Sequence, residues 1–493
     1  MSENGKLFVW ILSKNGELFV WILSKNVFLQ NQNQVIMYYE RIIDEYLWEW
    51  AGAESHKPLL LRGARQTGKS TAVRHLGERF DTYVEINFEK RPAYKTLFAK
   101  DLDIERILPL LSAMSRKTIA PGKTLLFLDE IQECPNAIMA LRYFWEDMPE
   151  LHVVAAGSLL EFALDELPTF GVGRIHSMYM YPMTFDEFLM ANGEHLLLNE
   201  RNNASASNPL DETVCVELID YLRTYMLVGG MPESVAKWVE THDFNQCQQV
   251  QDDILNGYED DFPKYRKKVD PQLLRQTLRS VAVQASKKFV YSQVPGEYKS
   301  ADVKKALEML MKSGIVIPVT HSNANGLPLG NEIEQSFRKM LLLDTGLMLR
   351  LMNMVMGNTE EITTRILTSS AADLVNKGVV SEMLVGLEYL HYQTPNMRHE
   401  LFYWVRQSKN SLAEIDYVMP YNLKVIPVEV KAGVQGGMKS LWEFMREKNL
   451  TYAVRCSLEN FGKFEYVDSK ADDAVRQVTI CPIYSISQMG RLL

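Results

Sequence analysis

Cysteine is scarce in this chain and does not pair. The five cysteines in 493 residues, at 134, 215, 247, 456 and 481, form no C-x-x-C. That excludes the usual zinc clusters and suits a reducing cytoplasm, the expected location. No apolar run approaches the ~18 residues of a membrane span, so no membrane partner is expected. Basic charge is not in excess either, since the net charge is −9. A protein coated in basic surface is excluded, but a local basic patch is not. At 46% hydrophobic and 23% charged, the composition is that of an ordinary folded protein. The length exceeds what one core supports and implies two to four domains.

The first 36 residues carry a copied unit. "NGKLFVWILSK" (4–14) is followed at once by "NGELFVWILSK" (15–25). Its apolar run is too short, and too poorly flanked by basic residues, for a signal peptide. Two readings are open: a β-hairpin turning at Asn15-Gly16, or an extension translated from upstream DNA, with the natural start at Met37. The second is the expectation, and the segment is assigned no function.

The strongest motif is "KPLLLRGARQTGKSTAVRHLGERF" (57–80). A short apolar strand, Leu59 to Leu61, runs into Gly63-x-x-x-x-Gly68-Lys69-Ser70 and then a helical pattern. This is a phosphate-binding loop in its required strand–loop–helix context. Gly63, Ala64, Arg65, Gln66, Thr67 and Gly68 would wrap phosphates with backbone N–H groups. The start of the helix, Lys69 to Thr71, adds its positive end. Lys69 is placed for the β- and γ-phosphates, and Ser70 for Mg²⁺. Some sixty residues on, the apolar strand of "KTLLFLDEIQ" (123–132) ends in Asp129-Glu130. A buried parallel strand has this pattern, and α/β ligands sit at its carboxyl end. Asp129 would hold Mg²⁺ through water, and Glu130 would polarise the attacking water. A third strand, "HVVAAGS" (152–158), ends in Ser158. Ser158 is either a γ-phosphate sensor or an ordinary strand-end serine. Arg174, in a Gly-rich stretch, is either an arginine finger reaching a neighbouring molecule or a surface charge.

Together, "LLLRGARQTGKS", "LLFLDEIQ", the Gly-Arg followed by "YPMTFDEFL", and "LVGGMPESV" (227–235) resemble a bacterial and archaeal family of AAA-type ATP-binding proteins. In that family a C-terminal domain of unknown function follows the ATPase. The similarity runs from Met37 almost to the end, and the family's usual start supports Met37 as the beginning. The resemblance implies ATP and Mg²⁺ as cofactors and leaves the oligomeric state open.

After a polar stretch (199–212), residues 213–260 have helical spacing and resemble the lid that follows an AAA-type core. Residues 264–312 hold twelve Lys or Arg against four acids. Their pattern of helix, short strand near "KFVYSQV", helix and hairpin suggests a winged helix with Lys304, Lys305 and Lys312 near DNA phosphates. The alternative is a basic face packed on an acidic neighbour.

The last motif is "KVIPVEVKAG" (424–433). Period two puts Glu429 and Lys431 on one face of a buried strand, where such groups must pair or hold an ion. A preceding strand, "AEIDYVMP", carries Asp416, and an upstream helix carries Glu382. The order helix, three strands, helix, strand resembles the restriction-endonuclease core. In that fold Asp416 and Glu429, with Glu382, would hold a second Mg²⁺, and Lys431 would activate water or steady phosphate charge. The ordinary alternative is a Glu429–Lys431 ion pair.

The expected fold is therefore α/β. An AAA-type P-loop core spans 37–198, a linker and helical lid 199–260, a winged-helix-like module 261–365, and a nuclease-like domain 366–493. The expected function is an ATPase coupling nucleotide state to a DNA-binding or nuclease-like region. The alternative is an ATP-regulated switch or scaffold that binds DNA or protein without cleavage.

Overall fold

The computed structural model describes residues 9–14, 17–22, 28–31, 34–158, 160–167, 173–265, 268–356, 377–406, 413–433 and 437–493. No helix among them is long and apolar enough to cross a membrane. At the N-terminus β1 (Val9–Lys14) pairs antiparallel with β2 (Glu17–Ile22), and β3 (Phe28–Asn31) with β4 (Gln34–Met37). The two copies of the repeat thus pair with each other, and among the described residues neither hairpin joins another sheet. The expected turn at Asn15-Gly16 lies outside the described residues.

A five-stranded parallel sheet follows. It comprises β5 (Leu59–Arg62), β6 (Thr82–Asn87), β7 (Thr124–Asp129), β8 (His152–Ala156) and β9 (His176–Tyr179), in the order β6-β7-β8-β5-β9. All residues of β7 and β8 are buried, as their apolar runs predict. Helices Ile104–Ser115 and Pro135–Asp147 cover one face, and helices Ile42–Gly52 and Lys69–Gly77 the other. Each fully buried leucine of β5 contributes about 1.5–3 kcal/mol. Because every pairing is parallel, the carboxyl ends of β5, β7 and β8 point the same way and bring their loops together.

Helices Glu212–Val228, Pro232–Thr241 and Phe244–Asp261 form the next layer. Gly229, at φ 73°, ends the first of them. The expected linker is shorter than 199–212, because helix His195–Asn203 takes its first five residues.

The second sheet has eight strands: β10 (Val316–Ser322), β11 (Ile333–Leu342), β12 (Leu401–Val405), β13 (Glu414–Tyr421), β14 (Lys424–Val430), β15 (Tyr452–Ser457), β16 (Gly462–Asp468) and β17 (Ala474–Pro482). Their order is β11-β10-β12-β13-β14-β15-β17-β16. Helix Lys377–His391, strands β12, β13 and β14, helix Lys439–Glu447 and β15 follow in the expected succession. Leu441, Phe444 and Met445 point inward.

The winged-helix expectation needs correcting. Helices Pro271–Val283 and Ser300–Lys312 precede a hairpin, β10–β11, but β10 pairs in parallel with β12. The hairpin is therefore the edge of the C-terminal sheet and not a free wing. "KFVYSQV" supplies a single bridge, Lys288 to Lys339, and a short 3-10 turn, Tyr291–Gln293, instead of a strand. The boundary expected at 365/366 lies outside the described residues. One continuous apolar core runs from Ala64 in the phosphate loop through Tyr225 and Leu347 to Tyr417 and Val428 in the second sheet.

At the amino end of the parallel sheet, His56 and His152 stack with ring centroids 3.7 Å apart. Both ring nitrogens of His56 are buried. Burial, with the neighbouring His152, pushes His56 down to about 4. The folded state thus prefers the neutral ring. This preference costs nothing above the unfolded value of 6.5 and destabilises increasingly as pH falls toward 4. His56→Phe should gain on wild type by roughly 2–4 °C in melting temperature between pH 7 and pH 4.5. A difference that does not change with pH would refute the buried neutral pair.

Candidate functional site

The loop after β5 turns sharply where the sequence places glycine. Gly63 has φ 143°, and a Cβ there would lie 2.1 Å from the Met180 carbonyl oxygen. Thr67 Oγ1 closes the loop by donating to the Ala64 carbonyl at 3.0 Å. Lys69 Nζ donates to the carbonyls of Gly63 at 3.0 Å and Ala64 at 2.6 Å. Its ammonium is thus held at the loop by weak acceptors that phosphate oxygens outcompete. Burial lowers Lys69 to about 8, against the pull of Glu130 and Asp129.

Asp129 ends β7 beside this loop. Ser70 Oγ donates to Asp129 Oδ1 at 3.0 Å, and Asn87 Nδ2 to Oδ2 at 2.8 Å. Burial, then Glu130, raises Asp129, while Asn87 and Ser70 oppose the rise. Two carboxylates side by side at a buried strand end are short of positive charge, and that donor set suits a divalent cation. Glu130 sits at φ 50°, a conformation uncommon for a side chain of its size. Its carboxylate accepts from Gln132 Nε2 at 2.6 Å.

Arg65, Gln66, Gly68, Lys69, Ser70, Thr71, Asp129, Glu130 and Ser158 line one cleft. Gly63, Ala64 and Thr67 form the back of the loop and border a second, larger cleft. Arg65 turns outward to pair with Asp261. Arg174 does not join the cleft. It pairs with Glu146 and precedes β9, the neighbour of β5, whose amino end lies beside Leu59, at the end of the strands opposite the phosphate loop.

Several cleft residues escaped the sequence reading. Tyr38, Tyr39, Arg41, Met183, Pro232, Glu233 and Ala236 form its remaining walls. Buried Arg41 donates to the Thr67 carbonyl at 3.1 Å, to Glu187 at 2.9 Å and to the Tyr181 carbonyl at 2.8 Å. It thereby fastens the phosphate loop to helix Phe185–Ala191. The only signal for this was the tyrosine- and arginine-bearing start of the helix at 38–50.

In the C-terminal sheet Asp416, Glu429 and Lys431 lie on the paired strands β13 and β14 and the turn after β14. Asp416 Oδ2 accepts from the Val430 backbone N–H at 2.7 Å, and Lys431 Nζ lies 2.5 Å from Glu429 Oε1. The other Glu429 oxygen, Oε2, is buried without a hydrogen-bond partner among the described residues. Burial, then Asp416, raises Glu429 to about 7, against Lys431. Glu382, Glu414 and Asp416 each offer an oxygen within 4.8 Å of the others. Glu414 and the buried Lys339 were not foreseen. Lys339 Nζ lies 2.7 Å from Glu382 and 2.5 Å from Glu414.

The basic stretch is largely neutralised. Lys264 pairs with Asp261, Lys268 with Glu166, Arg275 and Arg279 with Glu259, and Lys312 with Asp165. Lys304 and Lys305 face Glu308 and Asp302 on their own helix. This is the arrangement of a basic face packed on acidic neighbours. Arg266 and Lys267 lie outside the described residues.

Comparison with known proteins follows the same division. Residues 55–189 match the family model described as "AAA domain". Residues 219–357 match "Domain of unknown function (DUF8612)" and 377–484 "Domain of unknown function (DUF4143)". The chain is an AAA-type ATP-binding protein with a C-terminal domain of unknown function. No curated protein matches the sequence. Among solved structures it is similar to the Walker-type ATPase PABY2304 of Pyrococcus abyssi, at 15% identity and TM-score 0.42, covering 64% of this chain and 96% of that one. It is also similar to PCH-2 of C. elegans, at 10% identity and TM-score 0.25, covering 42% and 64%. A third is Hsp104 of S. cerevisiae with ADP, at 13% and 0.26, covering 56% and 38%. Similarities of this size carry no functional weight.

Proposed function

We propose that the protein hydrolyses ATP and that its nucleotide state sets the state of the C-terminal carboxylate cluster. The observation that carries the ATPase reading is the 3.0 Å bond from Ser70 to Asp129, with Lys69 beside it and Glu130 next in sequence. Lys69 exchanges its two carbonyl acceptors for phosphate oxygens. Ser70 and Asp129 are the pair that would hold Mg²⁺, which when bound neutralises phosphate charge. Glu130 polarises the attacking water, and Ser158 faces the phosphates from the end of β8. Arg174, exposed, paired with Glu146 and away from its own cleft, is either a surface charge or a group that acts on a neighbouring molecule.

Two struts support the coupling. In the first, Arg41 joins the phosphate loop to Glu187. Glu388, on the C-terminal helix Lys377–His391, accepts from the Phe185 N–H at 3.1 Å in the same short helix, and from Tyr225 at 2.9 Å. Glu382 lies on that C-terminal helix as well. In the second, Asp344 accepts from the Gly230 N–H at 2.6 Å, beside the cleft residue Pro232. Asp344 also ends the segment that carries Lys339. Both struts therefore lead to the Lys339–Glu382 ion pair.

At the C-terminal end, Glu382, Glu414 and Asp416, whose oxygens converge, would hold a second Mg²⁺, with Glu429 beside them and Lys431 steadying phosphate charge on a nucleic acid. Lys339 favours the other reading, in which the cluster serves as a switch and nothing is cut. The test is hydrogen exchange with and without ATP. Binding should protect residues 63–71, β11 and helix Lys377–His391. In Asp344→Asn an amide N–H₂ must face either Gly230 or Leu347, both donors. The response of β11 should then fall by half or more while 63–71 stay protected. If β11 and the helix do not respond in wild type, coupling is refuted. Absence of ATP-dependent phosphate release refutes the ATPase.

A further inference from the structure

The C-terminal cluster holds four carboxylates, Glu382, Glu414, Asp416 and Glu429, against two ammoniums, Lys339 and Lys431. Two negative charges are left over in a cluster that is buried except at Glu414 and, in part, Lys431. Burying that imbalance is costly unless a cation or protons supply the difference. The two lysines are not equivalent. Lys431 is 25% exposed at its side chain and bonds one carboxylate, Glu429. Lys339 is 1% exposed and stands between two, Glu382 and Glu414. Those two carboxylates, with Asp416, are the three whose oxygens converge within 4.8 Å. Unpartnered Glu429 Oε2 adds a fourth group that points to a missing ligand. Glu414 is exposed, so an ion has a way in from solvent.

We propose that the Lys339 ammonium is an internal plug of this site, and that it and a divalent cation compete for Glu382, Glu414 and Asp416. This rests on the reading of the cluster as a metal site. An ammonium in hydrogen-bond contact with two of the three ligands occupies the positive position and repels a second cation at that distance. The position of the plug makes it movable. It rides on β11, an edge strand with one strand partner, β10, and an irregular register between Thr320 and His321; among the described residues its other side is held only by the isolated bridge from Lys288 to Lys339. Five residues on, Asp344 ties the same segment to Gly230 at the nucleotide cleft. A shift of that turn withdraws or seats the ammonium.

The experiment measures Mn²⁺ binding, by loss of the free-ion electron paramagnetic resonance signal, in the nucleotide-free full chain carrying Lys69→Ala. Lys339→Met in that background should tighten binding at least tenfold. Asp416→Asn should abolish the binding with or without Lys339→Met. Equal or weaker affinity in Lys339→Met, with binding still lost in Asp416→Asn, overturns the plug and leaves the metal site standing. No binding that depends on Asp416 in any variant overturns both. A thermal melt checks that each variant folds. If Lys339→Met does not, Lys339→Gln, which keeps an amide donor toward Glu382 but no charge, must show the same tightening or the proposal fails.

Discussion

Lys69→Ala is expected to weaken ATP binding by at least a hundredfold and to stop hydrolysis. The ammonium is poised on the carbonyls of Gly63 and Ala64 at 3.0 and 2.6 Å. Exchanging neutral carbonyls for phosphate oxygens converts two ordinary hydrogen bonds into charge-assisted ones. Without the ammonium, the phosphates meet Asp129 and Glu130 with one cation fewer in the cleft. Removing one partner of a desolvated pair costs about 3–5 kcal/mol, or roughly two to three and a half decades in affinity. The fold should survive. The freed carbonyls lie beside an open cleft and can take water, and the loop keeps its Thr67 bond to Ala64 and its Arg41 bond to Thr67. The measurement is a titration with a fluorescent ATP analogue alongside a thermal melt. Near wild-type affinity in a folded variant would remove the phosphate-loop assignment.

What the sequence revealed, and what it hid, divides by distance along the chain. Gly63 to Thr71 was legible because one short stretch contains the strand, the loop and the helix start that the chemistry requires. Asp129-Glu130 was legible because a run of buried residues ends there. Glu429, Lys431 and Asp416 were legible because a tight hairpin fixes their register: Tyr417 faces Val428, which sets Asp416 against Glu429. The missed residues act across long separations. Arg41 meets Glu187 146 residues away, and Asp344 meets Gly230 114 residues away. Lys339 lies in "SFRKMLLL", where local pattern shows a strand with a basic residue and nothing of the carboxylates 43 residues or more ahead. The ion pairs of the basic stretch were hidden for the same reason. Its composition is local, but the acids that neutralise Lys268 and Lys312, Glu166 and Asp165, come from the nucleotide domain. The hairpin β10–β11 has the length of a wing, and only its parallel pairing with β12 shows that it belongs to another sheet.

Glu130→Gln should separate binding from chemistry in the same cleft. Glutamine has the shape of glutamate, and its carbonyl oxygen can still accept from Gln132 Nε2, as the Glu130 carboxylate does at 2.6 Å. The φ of 50° is no harder for Gln than for Glu, so the backbone gains no reason to relax. What is lost is the negative charge that draws a proton from water. Turnover should therefore fall by roughly a hundredfold, within the range usual for a general base. ATP affinity should hold within a factor of a few, or rise slightly, because one carboxylate facing the phosphates is neutralised. Single-turnover phosphate release and analogue titration read the two quantities separately. Unchanged turnover would place the base elsewhere. Loss of binding with turnover would make Glu130 a ligand or a structural support. If binding is kept and turnover lost, ATP persists on the protein, and any response of β11 to bound nucleotide can then be measured directly by hydrogen exchange.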